Sequence, residues 1–120
     1  MNFASDGKLL KAFMDTIQSW QLSDEAAGGL VGVPAQSVHR WHSGEPIDVN
    51  DELQIRMLMV AHLRTALDIC LSEELANEWM RLKNTGSLCQ GVSPVEFIAQ
   101  HGWPGLYLVL CEMQARAVGN

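Results

Sequence analysis

Few residues of this chain have the types and spacing that catalysis requires. His39 and His42 lie three positions apart, while His62 and His101 are isolated. The sequence contains no HExxH pair, no glycine-rich phosphate loop and no nucleophile elbow. We therefore expect no enzymatic activity, no cofactor and no small-molecule substrate.

The three cysteines, Cys70, Cys89 and Cys111, also lack a pattern that would make them functional. Their number is odd and none belongs to a CxxC pair, so a disulfide framework is not indicated. Their spacing to the histidines matches no structural zinc site, and we expect no bound metal. Reduced, partly buried thiols are the simplest interpretation.

Composition and charge narrow the class of protein. The 120-residue chain is 48% hydrophobic and 18% charged, with 14 acidic and 8 basic side chains and a formal net charge of -6. Such apolar content excludes intrinsic disorder, and the acidic balance argues against a nonspecific nucleic-acid binder. No apolar run approaches the roughly 20 residues that span a bilayer. The N-terminus lacks the features of a signal peptide, so we expect a cytoplasmic protein without membrane contact.

Apolar residues recur at spacings of three and four along most of the chain, which predicts an all-α fold of seven or eight helices. The predicted helices cover residues 8–20, 24–31, 35–42, 50–71, 73–84, 94–101 and 104–117. No segment has the two-residue alternation of a strand. The longest helix is apolar on more than one face, which predicts that it is central and packs against its neighbours on both sides. Met57, Met59 and Met80 are expected to fill gaps in the core.

The predicted domain boundaries are soft because the long helix is shared. Residues 1–50 form an N-terminal helical domain, residues 51–66 are the first part of the shared helix, and residues 67–120 form a C-terminal helical domain. Charge does not separate the halves, since residues 1–66 carry 5 basic and 8 acidic side chains and residues 67–120 carry 3 and 6.

The segment from Leu22 to Pro46 has the pattern of a helix-turn-helix. Two short helices flank the turn at Gly32 and Val33, and Val38 and Trp41 lie on the inward side of the second helix. Over about 25 residues the sequence resembles the Xre or phage-repressor-like helix-turn-helix family. The resemblance implies that the second helix enters the major groove, with Ala35, Gln36, Ser37, His39 and Arg40 facing the DNA. The alternative is a helical hairpin that only packs.

DNA binding by this segment requires phosphate contacts from other parts of the chain, because residues 22–46 contain one arginine, no lysine and three acidic residues. Gln36 suits adenine, and Arg40 suits guanine or a phosphate. Further phosphate contacts must come from Lys8, Lys11, Arg56 or Arg64, or from backbone amides. We therefore expect DNA binding to require a dimer or a partner protein that fixes the spacing of two copies.

A second pattern occupies the C-terminal half. A helix with Ala76-x-x-Trp79 is followed by an asparagine, a Gly-x-Ser-Pro-x-Glu turn and a helix ending in glycine. From about residue 55 to residue 119 the sequence resembles the toxin-binding domain of the Xre/MbcA/ParS antitoxin family. The motif residues are expected to be structural, as anchors, turn residues and helix caps: Trp79, Asn84, Gly91, Ser93, Pro94, Glu96 and Gly102.

The two patterns in this order are the layout of antitoxins from bacterial type II toxin–antitoxin pairs. The resemblance implies a cytoplasmic bacterial protein that neutralises a RES-domain toxin, an NAD-consuming enzyme, and represses its own operon through operator DNA. It also implies that the C-terminal helices and tail cover the entrance to the toxin's active site. The expected toxin-binding residues are Trp103, Tyr107, Arg116, Val118, Gly119 and Asn120.

Some alternatives stay open at this point. Trp103 is either a core residue or an exposed anchor for a partner, where tryptophan is enriched. Arg116 is either a toxin contact or a solvated side chain at a helix C-terminus. A homodimer through the long helix is also expected. As a whole, the chain is either an antitoxin or a stand-alone transcriptional regulator whose C-terminal domain only dimerises.

Overall fold

A computed structural model describes residues 3–45, 49–83 and 88–119, with no side-chain detail for residues 3–6. These ranges contain seven α-helices and no strand, which confirms the predicted all-α class. The helices are α1 (Phe3–Ser19), α2 (Asp24–Val31), α3 (Ala35–His42), α4 (Asp51–Cys70), α5 (Glu73–Glu78), α6 (Pro94–His101) and α7 (Trp103–Gly119), with a 3₁₀ turn at Trp79–Arg81. Within these ranges, no helix combines the length and apolarity needed to cross a membrane.

Side-chain caps explain where several helices begin. The hydroxyl oxygen of Ser23 accepts a hydrogen bond from the Ala26 N–H at 3.1 Å at the start of α2. Ser93 and Glu96 form the predicted capping box, in which the Ser93 oxygen accepts from the Glu96 N–H at 3.2 Å and the Glu96 carboxylate accepts from the Ser93 N–H at 3.5 Å. Each cap satisfies a backbone donor that has no partner within its helix.

Helix α4 is the central element, as predicted. It packs against α1 and α2 on one side and against α7 on the other, and α2 also packs against α6. The buried side chains form one hydrophobic cluster that runs through both predicted domains. Met57 and Met80 are fully buried in it, while Met59 is only partly buried. The boundaries at residues 50 and 66 stay predictions.

Three helix ends differ from the sequence-based expectation. Helix α1 begins at Phe3 rather than residue 8, and α7 continues to Gly119. Helix α5 ends at Glu78, where the chain tightens into the 3₁₀ turn instead of continuing toward residue 84. Within that turn Arg81 donates its Nε–H to the carbonyl oxygen of Trp20 at 2.8 Å. This long-range contact joins the turn to the end of α1, and no local sequence pattern encodes it.

Candidate partner-binding surfaces

The connection between α2 and α3 has the geometry of a tight helix-turn-helix. Gly32 adopts a left-handed conformation with φ of 79°. The N–H groups of Gly32 and Val33 both donate to the carbonyl oxygen of Gly28, at 2.8 and 3.0 Å. A Cβ atom at residue 28 would collide with the carbonyl oxygen of Val33. Glycine is therefore favoured both at residue 28, within α2, and at residue 32, in the turn.

The inward side of α3 is held by aromatic packing. Val38 and Trp41 are buried, as the sequence predicts. The rings of Trp41 and Phe13 pack edge to face, with their centroids 6.0 Å apart. This contact fixes α3 on α1 and leaves its opposite side toward solvent.

The solvent side of α3 carries four of the five residues predicted to face DNA, which we call the α3 face: Gln36, Ser37, His39 and Arg40. The fifth, Ala35, is half-buried at the start of the helix. Gln36, His39 and Arg40 are exposed and Ser37 is half-buried. Arg40 donates from Nη2 to the Ser37 hydroxyl at 3.4 Å, and its Nε lies 3.7 Å from the Glu45 carboxylate. The structure thus brings these residues together on one surface, with the arginine already paired inside the chain.

The histidines of α3 also have an acidic neighbour. The Nε2 atom of His42 lies 3.1 Å from Oδ1 of Asp24, and Nδ1 of His39 lies 3.8 Å from Oδ2 of the same carboxylate. Asp24 is in the first turn of α2, where the helix dipole also favours its negative charge. Each basic group of this surface therefore faces a carboxylate of the chain itself.

The prediction that Arg56 is available to bind phosphate is wrong. Its side chain is 6% exposed, and Nε and Nη2 both donate to the carbonyl oxygen of Leu30, at 3.2 and 3.0 Å. Burial lowers the pKa of the Arg56 guanidinium, and the nearby Glu52 carboxylate partly opposes that shift. Arg56 instead satisfies a carbonyl at the C-terminal end of α2 and supports the turn into α3.

The other proposed phosphate anchors are more accessible than Arg56, and the two lysines are more exposed than Arg64. Arg64 is half-buried and donates to the hydroxyl oxygens of Thr16 and Ser19, at 3.1 and 3.2 Å. Lys8 and Lys11 are exposed on α1, and Lys11 pairs with Asp15 at 3.1 Å. The lysines of α1 are thus freer to meet a phosphate than either arginine of α4.

A second surface follows the outer side of α7. Residues spaced by four, four, three and four positions lie along one side of the helix, and we call them the α7 stripe: Trp103, Tyr107, Cys111, Gln114 and Val118. The exposed fractions of Trp103, Tyr107 and Val118 are 52%, 49% and 88%. Trp103 is therefore exposed and is not a core residue. The stripe carries no acidic or basic side chain, unlike the α3 face.

Tyr107 provides a hydrogen-bonding group within this stripe. The side-chain hydrogen bond with Cys111, one helical turn later, raises the pKa of Tyr107, and the Cys111 charge acts in the same direction. A protonated phenol offers a partner both an apolar ring and a hydroxyl donor.

Trp103 also forms one wall of an open apolar groove between α4 and α7. Its other lining residues are Glu52, Ile55, Arg56 and Met59, and its volume is about 370 Å³. From the sequence, neither Ile55 nor Met59 is expected on a binding surface, and Met59 is expected in the core. The helix is apolar on more than one face, so its pattern does not distinguish core positions from surface ones. The groove gives the α7 stripe a concave end that suits an inserted apolar side chain.

The remaining predicted toxin-binding residues are placed differently. Arg116 follows Tyr107 by nine residues, or two and a half helical turns, so it lies on the opposite side of α7 from the stripe. It is exposed and lies 3.5 Å from Glu112. Gly119 is exposed at the helix end, while Asn120 lies outside the described residues. The segment treated as a tail is helical through Gly119.

The motif residues of the C-terminal half occupy turns and caps. Gly91 and Gly102 have positive φ angles of 95° and 70°, which favour glycine at both positions. Ser93 and Pro94 are buried at the start of α6, and Trp79 is partly buried against the core. Asn84 lies outside the described residues. In the described ranges no group of three or more His, Cys, Asp or Glu side chains is arranged to hold a metal ion.

Comparison with known proteins finds a likeness to a chain of a toxin–antitoxin complex. No protein-family model matches the chain, and no curated protein matches it. Among solved structures, it is similar to a chain in the crystal structure of the M. tuberculosis MbcT–MbcA toxin–antitoxin complex, with 27% sequence identity and a TM-score of 0.63. The match covers 92% of this chain and 95% of that chain. This likeness confirms the resemblance to the Xre/MbcA/ParS antitoxin family that the sequence motifs indicate.

Proposed function

We propose that this chain is a non-enzymatic antitoxin that binds and neutralises a cognate protein toxin in a bacterial cytoplasm. The observation that carries the proposal is the likeness to a chain of a toxin–antitoxin complex, which extends over 92% of the sequence. Because the match covers both halves, it supports an antitoxin role better than it supports an isolated DNA-binding motif.

The α7 stripe and its groove are the surface that we assign to the toxin. Trp103 and Tyr107 are half-exposed aromatic side chains on a rigid helix, and such residues provide most of the binding energy in protein interfaces. The groove beside Trp103 supplies the concave site into which a partner side chain fits. Arg116 points away from this surface, so it contributes little to the same contact.

The family resemblance supports a more specific partner, a RES-domain toxin that degrades NAD. The net charge of -6 suits a partner with basic surface around its active site, because complementary charge increases the rate of association. Neutralisation would then follow from steric blockage of the toxin's active site by α7, with no chemical step performed by this chain.

Co-expression with the product of the adjacent reading frame tests the proposal. We expect a stable complex, rescued growth and restored cellular NAD. Replacing Tyr107 with glutamate should weaken binding at least about 30-fold, because a charge would be buried at a contact centre. Leu82→Glu is the matched control, since Leu82 is also apolar and 43% exposed but lies outside the stripe.

Three experimental outcomes distinguish the antitoxin role, the type of toxin and the surface that binds it. If the purified pair does not associate, the antitoxin role is wrong and the stand-alone regulator becomes the better hypothesis. If growth is rescued but the toxin never lowered NAD, the RES-domain assignment alone is wrong. If Tyr107→Glu neutralises as well as Leu82→Glu, the toxin does not bind the α7 stripe.

Autoregulation through operator DNA is the second part of the proposed function. The observation that favours it is the tight α2–α3 turn with the exposed α3 face, on which Gln36 and Arg40 reach solvent. The side chains suited to bases and phosphates are therefore presented on one helix, as a major-groove reader requires. Binding of the chain to its own promoter region, measured with and without the toxin, tests this part.

A further inference from the structure

The groove beside Trp103 is lined by a buried cation whose hydrogen-bond donors are only partly used. The side chain of Arg56 lines this groove, and the residue is 6% exposed. A guanidinium carries five N–H donors, and in Arg56 the N–H of Nε and one N–H of Nη2 donate to the carbonyl oxygen of Leu30. In the described part of the chain, no acceptor takes a hydrogen bond from the remaining donors, which include both N–H groups of Nη1. Because buried donors without acceptors cost free energy, this guanidinium favours a further partner.

The nearby carboxylate of Glu52 compensates the charge of Arg56 only weakly. Oε2 of Glu52 lies 3.9 Å from Nη1 of Arg56, which is too far for a hydrogen bond, and the Glu52 side chain is 71% exposed. Water screens an ion pair of this kind, so it contributes little. A carboxylate held inside the groove would instead accept two parallel hydrogen bonds from the guanidinium.

The other walls of the groove are apolar. Ile55 and Met59 lie one helical turn apart on α4, and Trp103 contributes its ring from the start of α7. Ile55 and Trp103 are each about half exposed, at 54% and 52%. The volume of about 370 Å³ lies within the range of small-molecule sites, roughly 300–1,000 Å³. The groove therefore matches a ligand with one polar head and an apolar body.

The charges around the groove narrow the class of that ligand. A cation is disfavoured by Arg56, and a neutral apolar molecule would cover the guanidinium without giving it an acceptor. An anion with several charges, such as a phosphate ester, is disfavoured by Glu52 at the edge of the groove and by the net charge of -6. A single carboxylate on an apolar body fits all of these conditions.

We propose that the groove binds a small monocarboxylic acid, whose carboxylate pairs with Arg56 and whose apolar body lies against Ile55, Met59 and Trp103. This inference goes beyond the proposed function, because the site needs neither a toxin nor DNA. The groove is also one end of the α7 stripe. A bound acid would therefore compete with the toxin for part of the surface that we assign to it.

Titration of the full-length chain with octanoate tests the site, with 1-octanol as a neutral probe of the same chain length. We expect octanoate, kept below the concentration at which it forms micelles, to bind at least about tenfold more tightly than octanol, because only octanoate pairs with the guanidinium. Isothermal titration measures both affinities. Perturbation of the Trp103 indole N–H signal in the NMR spectrum locates the bound probe at the groove.

Two substitutions test the charges separately. Glu52→Gln should raise octanoate affinity about threefold, because it removes the carboxylate that repels the ligand. Glu25→Gln is the matched control, since it changes the net charge equally at an exposed position of α2. Arg56→Met should remove the preference for octanoate over octanol. Circular dichroism and thermal unfolding check its fold, and Glu52→Gln and the two probes decide the question if Arg56→Met does not fold.

Three results would overturn the inference: no binding of octanoate, octanol binding as tight as that of octanoate, or equal octanoate affinities of Glu52→Gln and Glu25→Gln. Each measurement is made without the toxin, so its failure leaves the proposed function untouched. With the toxin present, octanoate should weaken the complex more than octanol does at the same concentration. Octanoate that binds in the groove but leaves toxin affinity unchanged would support the site and contradict the assignment of this end of the α7 stripe to the toxin.

Discussion

The α3 face and the α7 stripe present opposite kinds of surface on one small core. The α3 face is polar, and its basic side chains already face carboxylates of the chain: Arg40 lies 3.7 Å from Glu45, and Nδ1 of His39 lies 3.8 Å from Asp24. The α7 stripe has no charged side chain and exposes Trp103 and Tyr107 by about half. When the α3 face binds a partner, its side chains must give up ion pairs that they already make within the chain. When the α7 stripe binds a partner, its apolar side chains lose only their contact with water.

This difference has a direct energetic consequence. Burial of apolar surface contributes roughly 25 cal/mol per Å² and depends little on salt. A phosphate contact by Arg40 replaces an intramolecular ion pair and weakens further as salt rises. We therefore expect the α7 stripe to bind tightly and with little salt dependence, and the α3 face to bind weakly and with strong salt dependence.

Of the four substitutions that follow, Trp103→Ala should have the largest effect on the difference in affinity between the α7 stripe and the α3 face. Loss of an aromatic anchor beside a groove typically costs about 2 kcal/mol or more, which is roughly 30-fold in toxin affinity. The measurement is isothermal titration with the toxin at low and high salt, with Leu82→Ala as control. An equal affinity for the two variants would contradict the α7 assignment, and a toxin affinity that falls with salt as steeply as promoter binding does would contradict the expected difference between the two surfaces.

Arg56→Met tests whether one side chain stabilises both the turn into α3 and the groove at the end of the α7 stripe. The side chain of Arg56 satisfies the Leu30 carbonyl at the end of α2 and also lines the groove beside Trp103. Leaving that buried carbonyl without its donor should lower the free energy of unfolding by about 1.5 kcal/mol. Chemical denaturation measures the change, and Lys11→Met, at an exposed position, is the control. Equal stability of both variants would show that the guanidinium is not a structural link.

Arg40→Ala should have a smaller effect, confined to DNA. Removing one phosphate or guanine contact should weaken binding to the promoter region about tenfold and reduce the salt slope by about one. Fluorescence anisotropy across a salt series measures both quantities. Toxin affinity should stay at the wild-type value, because Arg40 lies on the α3 face. Unchanged DNA binding would remove α3 from the contact surface.

Glu45→Gln should give the smallest change and the opposite sign. It removes the carboxylate that faces Arg40 and lowers the negative charge near the DNA, so promoter affinity should rise about threefold, within the range of a surface ion pair. The same anisotropy series measures it, with Glu25→Gln as a charge-matched control on α2. If both variants bind alike, the Arg40–Glu45 pair does not restrain the α3 face.

The predictions from sequence were accurate where the determinants are local. The bounds of α2 and α3 agree with the expected residues 24–31 and 35–42, because Ser23 and Gly32 mark the ends of α2 through their own side-chain and backbone properties. The capping box at Ser93 was recognisable for the same reason. Such signals depend on residues within one helical turn, so the linear sequence contains all of them.

The predictions failed where the outcome depends on tertiary contacts. Arg56 seemed available for phosphate because an arginine is rarely buried, and only the position of the Leu30 carbonyl explains its burial. The early end of α5 accompanies the contact between Arg81 and Trp20, which are 61 positions apart. The groove beside Trp103 needs the packing of α4 on α7, which no periodicity specifies.

Helix α2 packs against α3 on one side and α6 on the other, and this position limits how the protein can evolve. A Cβ atom on Gly29 would lie 3.2 Å from the Cβ atom of Ala99 on α6, so α2 approaches the C-terminal half closely while its other side supports α3. DNA-reading units that sit behind a linker can be exchanged between regulators by recombination. Here an exchanged α2 would also have to match α6, so we expect operator preference to change by substitution on α3 rather than by replacement of the whole unit.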